Sequence, residues 1–329
     1  MMVVLTTLTL CREAFSERNR VRLRVPVIGL LVCLLSYPVL CRGEEFPQTI
    51  KSPTIDRLHR LSPRFLSGAQ PEGEAAFGEL KKLGVKTIIS VDGTKPDVAA
   101  AHKQGLHYVH LPIGYDGIEP QRLLQIVKAA QTLEHPVFVH CHHGRHRGPA
   151  AAAICCRATE QWNDQRALAW LQQAETSPKY AGLFRVVREF QMPSKDDLAK
   201  VPGEFPEIAK LSTTVDSMVA INVYWERLKE IQKHGFCPLP DHPDIVPDQE
   251  ALQLAEHFHE LARNENSQQR GGDYLRQLSA ANEAATALST RLGTLEKDRS
   301  QTTIEHSIKL MQRLQKNCAE CHTAFRDGK

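Results

Sequence analysis

The segment Val137-Phe138-Val139-His140-Cys141-His142-His143-Gly144-Arg145-His146-Arg147-Gly148-Pro149 separates a cysteine from an arginine by five residues. Val137 to Val139 reads as a buried strand, and Arg147 as the opening of a helix. Five residues between the two can curl so that successive N–H groups point inward. The result is a concave anion site capped by a helix N-terminus. Cys141 then lies at the base of a cup whose amides and arginine favour the thiolate, the nucleophilic form. Arg147 can hold two phosphate oxygens with its planar fork and tighten as charge shifts in a transition state. Gly144 permits a backbone conformation that a side chain would resist. The five-residue spacing alone is a weak signal. The strand–loop–helix setting, with His140 ahead of the cysteine, makes it strong against the bland reading of a structural cysteine beside a surface arginine.

A second cluster stands near the C-terminus, in Asn317-Cys318-Ala319-Glu320-Cys321-His322-Thr323-Ala324-Phe325-Arg326. Cys-x-x-Cys-His is the attachment signature of c-type haem. On a helix, positions 318, 321 and 322 share one face. Two thioethers from Cys318 and Cys321 and an axial imidazole from His322 can therefore address one porphyrin iron. A redox dithiol or half of a zinc site are the alternatives. Zinc would need a second ligand pair, and this part of the chain offers none with suitable spacing.

The elements around the first cluster alternate. Glu72 to Leu83 reads as a helix closed by Gly84. Val85 to Val91 reads as a buried strand, Pro96 to Gln104 as a helix and His107 to Ile113 as a strand. A helix starting at Pro120 follows, where the first turn tolerates proline. Helices from about Pro149, at Asp164 to Ala174 and at Lys179 to Phe190 complete this half. Such alternation predicts an α/β domain with a central, mostly parallel sheet flanked by helices. Around the second cluster every pattern is helical. Stripes at Ile208 to Leu228, Leu254 to Leu261, Leu275 to Leu295 and Ile304 to Leu314 predict an all-α four-helix bundle. The proline- and charge-rich stretch 193–205 is the expected boundary. The expected layout is 44–62 linker, 63–192 first domain, 193–205 linker and 206–329 bundle.

The leading residues differ from the rest. Arg18, Arg20, Arg22 and Arg24 precede the apolar run Val25 to Cys41, and polar sequence resumes at Arg42. Residues 1–43 therefore read as a secretory signal, with cleavage after Gly43, or as a retained membrane anchor. The expected location is the periplasm, free or anchored. Three of the nine cysteines fall in this leader, so no disulfide framework is expected. A net charge of +3 and the lack of a basic run beyond the leader give no support to nucleic-acid binding.

Residues 63–192, through His140 to Gly148, resemble the protein-tyrosine and dual-specificity phosphatase superfamily, and within it the small atypical members with basic loops. The resemblance implies that Cys141 forms a phosphocysteine, that Arg147 binds the phosphoryl oxygens and that water completes hydrolysis. It also implies a general acid on the loop after an earlier strand, where Asp116 occupies the matching place and Asp92 is the reserve. Gly148 departs from the family, which carries Ser or Thr there, so breakdown of the phosphoenzyme is expected to be slow or absent. His142, His143, Gly144, Arg145, His146 and Arg147 form the expected phosphate-binding loop. Its basic side chains either face solvent or favour polyanionic substrates such as inositol phosphates. Residues 206–329 resemble cytochrome c′, with Phe325-Arg326 matching its ending. That resemblance implies covalent haem c with His322 as proximal ligand and Met218 as a candidate sixth ligand or a core residue.

Three functions follow from different classes. The first is an exported phosphatase acting on phosphorylated protein or a small polyanionic ester, with a haem domain attached. The second is a haem protein for electron transfer, with a redox partner, or for gas binding, carrying a non-catalytic phosphate module. The third is a structural fusion with neither site active.

Overall fold

Short apolar runs form the strands, and the segments between them form the helices that cover both faces. In the computed structural model, which describes residues 46–210, 213–240, 242, 245–295 and 297–326, the first half begins with β1 (Gln48–Thr49), β2 (His59–Arg60) and β3 (Phe65–Gly68). It continues through α1 (Gly73–Lys82), β4 (Thr87–Ser90), α2 (Val98–Lys103), β5 (His107–His110), α3 (Pro120–Thr132) and β6 (Val137–His140). It ends with α4 (Arg147–Thr159), α5 (Asp164–Gln173) and α6 (Ala181–Glu189). The segment read as a leader or membrane anchor, residues 1–43, lies outside the described residues. Among the described residues, no helix is long and apolar enough to cross a membrane.

The sheet runs β1-β2-β3-β6-β4-β5. β3, β6, β4 and β5 pair in parallel, whereas β1–β2 and β2–β3 pair antiparallel. The sheet is therefore mixed. Its antiparallel edge comes from residues that read as linker, because two-residue strands are too short to show a period. Ile55, Leu58 and Leu61 in that stretch are buried, so it is core rather than tether. Every residue of β3, β4 and β6 is buried, as a strand covered on both faces requires. α4 presses Ala150 to Ala153, all fully buried, against the sheet. Enlarging any of these side chains would overpack the core, at about 1–3 kcal/mol.

The stretch 193–205 holds a further helix, α7 (Lys195–Lys200), capped by Ser194, with Leu198 packed into the core of the first half. Beyond it, the Pro206 carbonyl accepts from the His110 N–H at 2.8 Å, and the Ala209 N–H donates to His110 Nδ1 at 3.1 Å. The chain thus meets the outer strand at the last residue of β5. The C-terminal part is helical: α8 (Thr214–Lys233), α9 (Pro247–Arg263), the short α10 (Glu265–Gln268), α11 (Gly272–Leu295) and α12 (Gln301–Phe325). α8 starts at a capping box between Thr213 and Asp216, which satisfies two otherwise free N–H groups. α9 packs on α8 and α11, and α12 packs on α11, around Leu254, Phe258, Leu278, Leu288 and Leu314. Glu44–Lys329 forms one compact unit, so side chains of the helical part contact the sheet half directly.

Candidate functional site

β6 lies between β3 and β4, so its C-terminal end opens at the middle of the parallel strands. Cys141, 4% exposed, follows it directly, the loop turns through His146, and α4 begins at Arg147. His140 is fixed from behind by a 2.6 Å hydrogen bond between its Nε2 and Tyr108 Oη. Burial lowers the His140 imidazole to about 4, so it is neutral. Gly144 has φ +65°, and a Cβ there would run into the Gly68–Ala69 backbone. The loop therefore closes against β3 only because this residue has no side chain. At Gly148 a Cβ would lie 2.9 Å from the Cys141 nitrogen and 3.3 Å from its Sγ. The first turn of α4 is pressed against the cysteine.

Arg147 is 1% exposed and fully engaged at its tip. One amino group reaches Asp92 Oδ1 at 2.6 Å and Tyr115 Oη at 3.0 Å. The other is ion-paired with Glu260 of α9 and donates to the Ile113 carbonyl at 3.4 Å. The Tyr115 ring lies 4.1 Å from the guanidinium carbon. Glu260 also stands over Gly93, where a Cβ would meet its carboxylate at 2.8 Å. A carboxylate of the helical part therefore occupies the fork that the sequence assigns to phosphate oxygens.

Asp92, the reserve general acid, is 1% exposed and bridges two guanidiniums. Arg147 holds one oxygen, and Arg263 of α9 holds the other at 2.6 Å. Burial alone would raise its pKa, but the charges of Arg147 and Arg263 outweigh that and hold the carboxyl well below the usual range. Asp92 is an anion at any physiological pH and has no proton to give. Asp116 is exposed on the loop after β5. It lines a cavity of about 370 Å³ shared with Tyr115, Tyr224, Arg227, His257 and Glu260. Of the two carboxylates named from sequence, Asp116 is the one not bound to a guanidinium within this site.

The loop rim is less basic than its residue types suggest. Burial, then Arg145 and Arg147, push His146 down to about 3. Burial, then Arg263 and His143, push His142 down to about 4. Both are neutral at pH 7. Arg145 pairs with Glu175 at 2.9 Å. Sequence reasoning missed Tyr115, Glu260 and Arg263. Tyr115 immediately precedes Asp116 on the loop after β5. Glu260 and Arg263 flank the apolar stripe of α9 and carry no local sign of a distant partner.

Cys318, Cys321 and His322 line one wall of a second cavity, of about 910 Å³, between α8, α9, α11 and α12. Met218, Trp225 and Phe258 line it as well, and Val215, Val219 and Val223 of α8 rim it while largely exposed. Both cysteines are free, and burial pushes the Cys318 thiol up to about 11. An apolar cavity of cofactor size, two neutral thiols and one imidazole on the same wall make a donor set that fits a covalently held haem.

No family model matches the chain. The dual specificity protein phosphatase TpbA of Pseudomonas aeruginosa strain UCBPP-PA14 is 32% identical over 135 residues, 40% of this chain and 60% of that protein. Its counterpart in strain PAO1 is 31% identical over 134 residues, 40% of this chain and 59% of that protein. The chain thus spans about three-fifths of the curated relatives it matches. The crystal structure of P. aeruginosa TpbA superposes with a TM-score of 0.40 and 25% identity, covering 46% of this chain and 93% of that one. The sequence similarity to these phosphatases covers 40% of this chain.

Proposed function

We propose that the chain is an exported, cysteine-dependent phosphatase of the dual-specificity type, fused to a cytochrome c′-like four-helix bundle that carries haem c. The observation that carries the phosphatase reading is the placement of Cys141 at the end of a central parallel strand, with Arg147 at the start of the next helix. The sequence similarity to a dual-specificity phosphatase supports it independently.

The proposed chemistry uses this chain's own groups. The Cys141 thiolate attacks phosphorus, forming the S–P bond as the ester P–O bond breaks. The Arg147 fork holds the non-bridging oxygens, whose charge it neutralises best as the transition state forms. Asp116 gives its proton to the departing oxygen, since an alkoxide leaves poorly without one. Water then attacks phosphorus and gives a proton to the Asp116 carboxylate as the S–P bond breaks, so phosphate and the thiolate are released and the acid is restored. The substrate class is a phosphomonoester, from phosphorylated protein or from a small ester. The neutral rim histidines give less support to a strong polyanion preference than the sequence did.

Cys318 and Cys321 would hold the haem through thioethers, and His322 would bind its iron. Met218 lines the same cavity and would be a further candidate to bind the iron. The bound group would supply a one-electron redox centre or a site for a diatomic gas. An ester-free role for the first half, as a phosphate-sensing module of a haem protein, is favoured only by the Glu260 contact on Arg147. Hydrolysis of p-nitrophenyl phosphate by the purified chain, abolished in Cys141→Ser and in Arg147→Ala, tests the phosphatase reading. Equal rates in wild type and both variants would overturn it.

A further inference from the structure

His142 and His143 of the phosphate loop and His259 of α9 bring one ring nitrogen each to within 4.8 Å of one another. The ring centres are 4.2 Å apart for His142–His143, 5.6 Å for His142–His259 and 5.9 Å for His143–His259. Three imidazoles on a tetrahedral ion, with metal–nitrogen bonds of about 2.0–2.1 Å, place their ring centres about 5 Å apart. The observed spacings bracket that value, so small side-chain rotations bring all three nitrogens onto one ion. His142 Nδ1 and His259 Nε2 are both buried and have no hydrogen-bond partner. A buried polar atom without a partner costs about 1–3 kcal/mol, and here two of them belong to rings whose centres are 5.6 Å apart, so one ligand could satisfy both.

We propose that His142, His143 and His259 form a binding site for a divalent transition-metal ion, zinc by ligand type, that clamps α9 onto the phosphate loop. Imidazole nitrogen suits zinc, and three histidines leave the fourth tetrahedral position to water. Burial and the neighbouring charges keep His142 unprotonated at neutral pH, so its lone pair is available. Arg263, the cation acting most strongly on His142, has its charge offset by the ion pair to Asp92. Glu256 adds negative charge beside His143.

The site joins two segments 116 residues apart by subtraction of His143 from His259. It lies next to Glu260, the residue ion-paired with Arg147. A bound ion therefore holds the Glu260 carboxylate over the phosphate fork, and zinc should inhibit the enzyme through that clamp. The inhibition arm rests on the phosphatase reading; the binding arm does not.

The test is zinc binding by the full-length chain, followed by equilibrium dialysis with metal analysis, in wild type, His259→Ala and His143→Ala. Zinc held by Cys318 and Cys321 would be common to all three and cancels in the comparison. The expected result is one zinc ion fewer per chain in each variant. His143 is exposed, so its variant keeps the test decisive if His259→Ala folds poorly. In the same preparations, zinc should inhibit p-nitrophenyl phosphate hydrolysis by wild type and lose that effect in His259→Ala, whose zinc-free rate should match wild type. Equal zinc content in wild type and both variants would overturn the site. A lost zinc ion with undiminished inhibition would overturn the clamp. If the chain shows no hydrolysis at all, the dialysis result still decides the metal site while the phosphatase reading fails.

Discussion

Glu260, on a helix of the C-terminal part, is ion-paired with Arg147 at the first residue of α4. That guanidinium is the group a phosphate ester must bind, so substrate and Glu260 compete for it. Glu260→Gln removes the competing charge. It should lower KM for p-nitrophenyl phosphate by about tenfold, equivalent to about 1.4 kcal/mol, with kcat little changed. Phosphate should also become a stronger competitive inhibitor. An unchanged KM would mean that Glu260 yields the fork without cost.

The two carboxylates should separate cleanly. Asp116→Asn should slow hydrolysis of phenyl phosphate, a poor leaving group, on the order of 100-fold. It should barely affect an activated nitrophenyl ester. Asp92→Asn leaves Arg147 and Arg263 without their shared anion in a buried setting. The expected cost is about 3–5 kcal/mol of stability, read as a lower urea midpoint. Equal loss with both esters in Asp116→Asn would remove it from the acid role.

Gly148 leaves no hydroxyl beside the cysteine and no room for one. A pre-steady-state burst of alcohol is expected, followed by slow breakdown of the phosphocysteine. Restoring a serine should not speed turnover, because its Cβ would sit 2.9 Å from the Cys141 nitrogen. Gly148→Ser should instead displace the loop, at about 1–3 kcal/mol, and slow the burst itself. Stopped-flow release of nitrophenolate measures both phases.

Acid should destabilise the protein through His146. Burial, with Arg145, Arg147, His143 and Arg57 nearby, sets it at about 3 in the fold against 6.5 for the free side chain. The Tyr115 and Tyr180 rings pack against it. Between those values the unfolded chain binds more protons than the folded one. The contribution of the neutral ring is complete above pH 6.5 and is lost as pH falls toward 3. Asp92, depressed in the fold, acts with the same sign at lower pH. The Tm should fall steadily from pH 7 to pH 4, less steeply in His146→Gln. A Tm that is flat over this range would contradict the assignment.

Expression with a cytochrome maturation system should give haem that survives acid–acetone extraction. Cys318→Ala or Cys321→Ala should weaken that retention, and His322→Ala should shift the Soret band. Haem loss should also lower the Tm, since the cavity of about 910 Å³ would then be left unfilled among Met218, Trp225 and Phe258. A purified chain with no Soret absorbance, whose zinc is lost in Cys318→Ala but kept in His259→Ala, would remove the haem reading.

The sequence made legible those features in which chemistry and local period coincide. Val137 to Arg147 announced strand, loop and helix within eleven consecutive residues, and the structure assembles them in that order. The stripes at Leu254 to Leu261 and Leu275 to Leu295 announced long helices because burial repeats every turn. β1 and β2 stayed hidden because two residues cannot display alternation. The Arg147–Glu260 pair stayed hidden for a different reason. Its members are 113 residues apart, and nothing in the residues around Glu260 marks a partner on another part of the chain.

The segment that leaves α7 lies on the outer strand of the sheet, where Pro206 and Ala209 engage both the backbone and the ring of His110. An outer strand with free amides is a template on which a second molecule can add its own strand. By engaging His110 at the end of β5, residues 206–209 obstruct growth of the sheet between chains. Cutting the protein at residue 205 to isolate its first half would uncover that edge. Such a fragment should self-associate on concentration, and light scattering would register it where the full-length chain stays monodisperse.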